Sequence, residues 1–468
     1  MPVHTRRDGD DGTRRESHRP RGVPVTLAPD DGLARGIAWG LLAAEDWTAD
    51  ALQAAVTRTL GRPCEWAGRV VGPVLAAYRE PPTDRPDELA RFLLLATPLT
   101  EIAHAVRQEH EPLRVRVLAP VPGRMGRRRW PVPDLPDLVA LARLLEVPLD
   151  QLDWLADTAR LQRRSPPGPY QAFEHRWRSR PHAAPRLLEA PGPLLRAVQR
   201  RILDRILAWV PVHPAAHGFV GGRSAITNAA RHVGAPTVVA LDLRSFFSTI
   251  TAARVGGLYR TMGLPEAVVR VLTGLSTHAT PGWVLSGMPA GGDPSERHRL
   301  RATLRSRHLP QGSPTSPALA NLACFSLDHR LQRYAETAGL VYSRYADDLT
   351  FSGPVARPAA LLATVSTIIV AEGFVVHPGK SRVRRTGERQ TVTGIVTNRR
   401  PGIARSDRDR LRAVLHDARR HGPEAANRER HPHFREHLHG RITWVESVSP
   451  VQGRRLRAQY EAIVWPER

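Results

Sequence analysis

Apolar residues recur every three or four positions through residues 32–107, which predicts helices near 51–60, 70–78 and 87–106. The same spacing returns at 135–145 and 149–156, two short helices joined at Val147-Pro148. From residue 237 the pattern changes. Thr237-Val238-Val239-Ala240-Leu241 is a β-branched run of the kind that forms a buried strand, and it ends in Asp242. The segment 343–351 alternates as a half-buried strand or hairpin, yet holds two adjacent acids, Asp347 and Asp348. Between these lies Leu309-Pro310-Gln311-Gly312-Ser313-Pro314-Thr315-Ser316-Pro317, a rigid loop. A helix is expected after it over 318–334, with an apolar stripe through Leu319, Leu322, Phe325 and Leu331. Residues 392–397 read as a strand, 405–420 as a basic amphipathic helix with Leu411 and Leu415 on one side, and 453–463 with Trp444 as a closing helical hairpin.

The paired acids carry the chemistry. A turn at Ala346-Asp347-Asp348 pushes carboxylates out of an apolar sheet, where a cation makes them tolerable. Asp242 stands 105 positions before Asp347 (347 minus 242) at the end of its own strand. Three carboxylates so placed can share two divalent ions for in-line displacement at phosphorus.

Charge extends the picture to a partner. The formal net charge is +23 and the sequence pI about 11.4, so a polyanion is attracted over a wide surface. Runs such as Arg124-Met125-Gly126-Arg127-Arg128-Arg129-Trp130 add basic residues beside an aromatic ring, a combination suited to RNA. Of the 68 Lys and Arg residues, Lys380 alone is lysine. Its ammonium is compact and can titrate where a guanidinium cannot, which suits a general acid. Two cysteines, Cys64 and Cys324, offer neither metal-ligand spacing nor a disulfide framework. No apolar run is long enough to span a bilayer and no signal peptide is evident, so no membrane partner and a cytoplasmic location are expected.

The strings Asp242-Leu243-Arg244-Ser245-Phe246-Phe247, 309–317 and Tyr345-Ala346-Asp347-Asp348 resemble, in this order, motifs A, B and C of reverse transcriptases. The resemblance covers roughly residues 134–468. It implies a right-hand polymerase of mixed α/β (α+β) class with fingers, palm and helical thumb. It also implies two Mg²⁺ ions held by Asp242, Asp347 and Asp348. Phe247 matches the aromatic that excludes a ribose 2′-hydroxyl, and Gln311 a residue beside the incoming nucleotide. Arg186, in Arg186-Leu187-Leu188-Glu189-Ala190-Pro191, matches a triphosphate contact, though the basic turn before it lacks the usual glycine. Lys380, in Gly373-Phe374-Val375-Val376-His377-Pro378-Gly379-Lys380, matches motif D.

Asn228-Ala229-Ala230-Arg231-His232 and Val392-Thr393-Gly394 resemble signatures of retron reverse transcriptases. That likeness gives Asn228, His232, Val392, Thr393 and Gly394 a part in RNA recognition. It implies a structured noncoding RNA as template, priming from an RNA 2′-hydroxyl, and deoxynucleoside triphosphates as substrates. The product would be a multicopy single-stranded DNA joined to RNA, made in antiphage defence with an effector protein. The expected layout is a disordered tail over 1–25, a helical extension over 26–133, fingers and palm over 134–398 and a thumb over 399–468. No room for a ribonuclease H or endonuclease domain follows the last helical pattern, which disfavours retroviral and complete mobile-intron types. Three rivals stay open: another bacterial reverse transcriptase (group II intron-like or abortive-infection type), a catalytically silent RNA-binding protein, and a regulator that reads DNA through helices 135–145 and 149–156.

Overall fold

In the computed structural model the described residues are 30–466, apart from 45, 83–84, 110–111, 117–124, 159, 167, 169–170, 181–182 and 378. The tail expected over 1–25, together with Arg124 and Pro378 of the strings above, lies outside them. The chain divides into two units, 1–121 and 122–468.

The first unit is helical. Its helices are Asp31–Leu42, Ala49–Leu60, Ala67–Ala77, Pro86–Ala96 and Leu99–Glu109. Ile37, Leu41, Leu52, Val56, Leu89 and Leu93 fill its interior. The helix expected over 87–106 is two helices, because Pro98 lacks the N–H that would carry the ladder through. The helix Asp31–Leu42 lies in the periodic stretch but has no bounded expectation of its own, because it is buried on nearly every side and shows no polar stripe to mark its ends.

In the second unit, helices Leu138–Leu145 and Leu149–Ala156 bury Leu141, Leu145, Leu152 and Leu155 in the main core. Strands β1 (Phe173–Arg178) and β2 (Arg186–Pro191) form an antiparallel hairpin. The central sheet contains β3 (Thr237–Asp242), β4 (Val341–Tyr345), β5 (Asp348–Gly353) and β6 (Arg382–Arg385), in the spatial order β4-β5-β3-β6, all antiparallel. Val239, Leu241, Tyr342, Leu349 and Phe351 place this sheet in the largest apolar core, with helices such as Phe325–Thr337 and Pro358–Ala371 supplying Leu327, Leu331, Val365 and Ile369.

Two further sequence expectations are corrected. The helix expected over 318–334 is two, Ser316–Ala323 and Phe325–Thr337, interrupted at Cys324, and the turn leaves Phe325 45% exposed, off the apolar stripe. The strand expected over 392–397 is a tight hairpin, β7 (Thr391–Val392) and β8 (Ile395–Val396). Thr393 (φ 47°) and Gly394 (φ 81°) turn the chain through left-handed conformations, as a two-residue hairpin demands. Further on, helices Arg405–His421, Phe434–Val448 and Pro450–Glu461 share a separate core of Leu411, Leu415, Leu438, Ile442, Leu456 and Tyr460.

Candidate active site

Strand register brings the acids together. Asp242, the last residue of β3, lies directly opposite Asp348, the first residue of β5. Like charges facing each other across a ladder repel. Asp347 stands in the turn between β4 and β5, and its carbonyl accepts from the Leu243 N–H at 2.9 Å, tying that turn to the end of β3. Burial raises the Asp347 carboxyl above the usual range and Asp242 adds to the shift, while Lys380 and Arg186 oppose it. Asp348 is open to solvent on one side, but the protein body behind it and the charges of Asp347 and Asp242 push its pKa up to about 6. Three oxygen-donor carboxylates that repel one another are a donor set that could hold a hard cation and fits Mg²⁺.

The basic side chains converge on the same point. Lys380 Nζ donates to both Asp242 oxygens, at 2.9 and 2.8 Å. Its segment is held in place where His377 N–H donates to the Asp242 carbonyl (2.7 Å) and Arg244 N–H to Val375 (2.8 Å). Arg186 is exposed at the start of β2; burial of part of its stem and Arg180 lower its pKa, and attraction to Asp347 and Asp242 opposes them. Gln311 accepts the Glu189 N–H through its carbonyl at 2.9 Å, so the Gly-Ser-Pro loop is pinned to β2. Gly312 (φ 134°) packs there against the Glu189 carbonyl, which a Cβ would meet at 3.0 Å. Phe247 lies half-buried in the short helix Phe246–Thr249, five positions past Asp242.

Asn228, His232, Val392, Thr393 and Gly394 are not part of this group. Their segments meet in a second cluster, where Ala229, Val392 and Ile395 share an apolar core and Thr393 Oγ1 donates to the Ala225 carbonyl at 3.0 Å. Asn228, His232 and Val392 are buried, whereas Thr393 is half-buried and Gly394 exposed. The His232 ring bridges Ser343 Oγ (2.7 Å) on β4 and Ser352 Oγ (2.8 Å) on β5, beneath the strands that carry the acids.

Several supports of the site are invisible to motif reading. Arg344, fully buried on β4, donates to both oxygens of Asp328 (2.8 and 2.7 Å), to Asn321 Oδ1 (3.0 Å) and to the Ala346 carbonyl (3.1 Å). The same Asp328 accepts from the Tyr342 hydroxyl at 2.9 Å. Gly218 lies so close to the turn that a Cβ would meet Ala346 N at 2.6 Å. Phe219, 55% exposed and with a φ of 61° that a bulky residue rarely adopts, sets its ring 6.3 Å from that of Phe247. An arginine flanked by Ser343 and Tyr345 was the one available signal, since a strand residue facing the core must bury its charge against a partner.

Comparison with known proteins finds relatives for the chain. The family model for reverse transcriptase (RNA-dependent DNA polymerase) matches residues 180–397. The chain is similar to the Retron Mx162 reverse transcriptase of Myxococcus xanthus, 41% identical over 296 residues, which is 58% of this chain and 57% of that protein. The Retron Mx65 reverse transcriptase of the same organism is 40% identical over 279 residues, 58% and 60% of the two chains. The Retron Ec86 reverse transcriptase of Escherichia coli is 32% identical over 238 residues, 50% and 66%. The matches span 57% and 60% of the length of the two Myxococcus relatives. Residues 180–397 therefore match a reverse transcriptase domain, and the chain is similar to retron reverse transcriptases over about half its length.

Proposed function

We propose that the protein is an RNA-directed DNA polymerase that adds deoxynucleotides to a hydroxyl of a structured RNA. The observation that carries this reading is the opposition of Asp242 and Asp348 across β3 and β5 with Asp347 in the adjoining turn. Two Mg²⁺ ions held by these three residues would supply the Lewis acidity for in-line displacement, in which the hydroxyl oxygen bonds to the α-phosphorus and the bond to pyrophosphate breaks. Arg186 faces the same carboxylates from β2 and would steady the triphosphate. Lys380, within 3 Å of Asp242, would give its proton to the departing pyrophosphate. Phe247, backed by Phe219, would close the space a 2′-hydroxyl needs, and Gln311 would line the nucleotide's far side. The three helices after β8, with their own core and basic surfaces, would act as the thumb that holds a template–primer duplex by its backbone.

The retron reading adds a dedicated noncoding RNA as template, a 2′-hydroxyl of that RNA as primer, and a branched, multicopy single-stranded DNA as product, made in antiphage defence beside an effector. Its support is the likeness to retron reverse transcriptases and the meeting of the segment around Asn228 with the Val392-Thr393-Gly394 hairpin through Ala229, Val392 and the Thr393–Ala225 hydrogen bond. With Asn228 and His232 buried, their cluster would serve RNA by shaping the Thr393-Gly394 turn, whose Gly394 is exposed. Expression with the flanking DNA and sequencing of the copurified nucleic acid tests the reading. A short DNA joined to one RNA species is the expected result, and RNA without attached DNA would contradict it.

A further inference from the structure

A further polar cluster, sharing no residue with the carboxylate group, gathers on the β1–β2 hairpin and the segment around His278. His175 on β1 is the direct cross-strand partner of Glu189 on β2. His278, in the segment after helix Glu266–Ser276, is joined to His308 by a reciprocal pair of backbone hydrogen bonds, both 2.9 Å. The Nε2 atoms of His175 and His278 stand 2.9 Å apart, and together with a Glu189 oxygen they lie within 4.8 Å of one another.

From this geometry we infer that His175, His278 and Glu189 form a structural site for a divalent transition-metal ion, zinc being the best match. Two imidazoles and a carboxylate are a recurrent zinc donor set, and ligand atoms around a tetrahedral zinc sit about 3.3 Å apart. To reach that spacing the two ring nitrogens, 2.9 Å apart, move slightly outward and the Glu189 oxygen, within 4.8 Å of them, moves inward.

The surroundings are those of a metal ligand set. Thr280 Oγ1 donates to one Glu189 oxygen at 2.7 Å and His308 Nε2 approaches the other at 2.9 Å, so the carboxylate is fixed in orientation with a lone pair free on each oxygen. His308 is fixed in turn by the Ser306 carbonyl, 2.7 Å from its Nδ1. Phe173 lies against the His278 ring at 4.2 Å and Trp283 meets the His175 ring edge-on at 5.7 Å, walling the cluster with apolar surface. Burial works against the Glu189 charge, but His308 outweighs it and holds the carboxyl at about 2, while burial lowers His278 to about 3; a ligating carboxylate and imidazole need these ionised and neutral forms. His175 is half-buried and offers the route of entry. Because Glu189 N–H donates to Gln311, an ion here would clamp the hairpin to the Gly-Ser-Pro loop. None of this depends on the polymerase reading.

The test uses the full chain, stripped with a chelator and returned to excess magnesium so that hard-oxygen sites are filled, then titrated with zinc chloride. The expected result is one zinc per chain, a raised melting temperature, and affinity at least about tenfold weaker in both His175→Asn and His278→Gln. Cobalt in place of zinc should give the intense visible absorption of a tetrahedral ion in the parent protein and lose it in His175→Asn, whose half-exposed position leaves the core intact. Absence of stoichiometric zinc, or equal zinc binding by the parent and both variants, would overturn the proposal.

Discussion

Arg344 and Asp328 form a doubly hydrogen-bonded ion pair from which solvent is wholly excluded, and the same guanidinium holds the carbonyl of Ala346 in the acid-bearing turn. Two buried charges are tolerable here because all three guanidinium nitrogens donate to acceptors and both Asp328 oxygens accept. Arg344→Met leaves Asp328 uncompensated and should cost about 3–5 kcal/mol of unfolding free energy in a urea titration. Loss below about 1 kcal/mol would show that the pair contributes little to holding the turn.

Gly218 is the second support of that turn. A methyl at this position would press on backbone at 2.6 Å rather than on a yielding side-chain tip. Gly218→Ala should leave the circular dichroism spectrum intact while lowering nucleotide incorporation about a hundredfold, since displacement of a catalytic group by an ångström has that order of effect. Unchanged incorporation would mean that the turn shifts without consequence.

Phe247 is expected to discriminate sugars by contact. Phe247→Ala should raise the kcat/KM for a ribonucleotide relative to its deoxynucleotide by one to two orders of magnitude, with deoxynucleotide use little altered. If the ratio stays at the parent value, the gate is some other group, with Phe219 the next to test.

His232 makes stability depend on pH. Burial, reinforced by Arg231 and His217, lowers its pKa to about 3 from an ordinary value of 6.5. The folded state therefore binds fewer protons than the unfolded state between those values, and the stability present above pH 6.5 is lost as pH falls toward 3, at up to about 1.4 kcal/mol per pH unit. His232→Asn should be less stable at pH 7, having lost its two serine contacts, but should lose about 2 kcal/mol less than the parent on acidification to pH 5. Equal losses would contradict a neutral, buried ring.

Much of the site was legible before the fold. Asp242, Asp347, Asp348 and Lys380 were marked by local surroundings, acids at strand ends and a lone ammonium among arginines, and the structure brings all four to one place. What could not be read depends on pairing across long separations. Arg344 meets Asp328 through the packing of a helix on β4, and Glu189 meets His308 at a separation of 119 positions. Neither distance leaves a trace in local pattern. Asn228 and His232 share a helix-like spacing whether they face solvent or core, so their burial was equally hidden. The break at Cys324 is a tertiary override, because the local apolar period runs straight through it.

The most direct test of the central claim is incorporation of labelled deoxynucleotides on a poly(rA)–oligo(dT) duplex in magnesium, comparing the protein with Asp347→Asn. The carboxamide keeps the volume but not the charge of the side chain. Synthesis by the parent, loss by several orders of magnitude in the variant, and equal RNA affinity in both are expected. Synthesis at the parent rate by Asp347→Asn, or none by either protein, would contradict it.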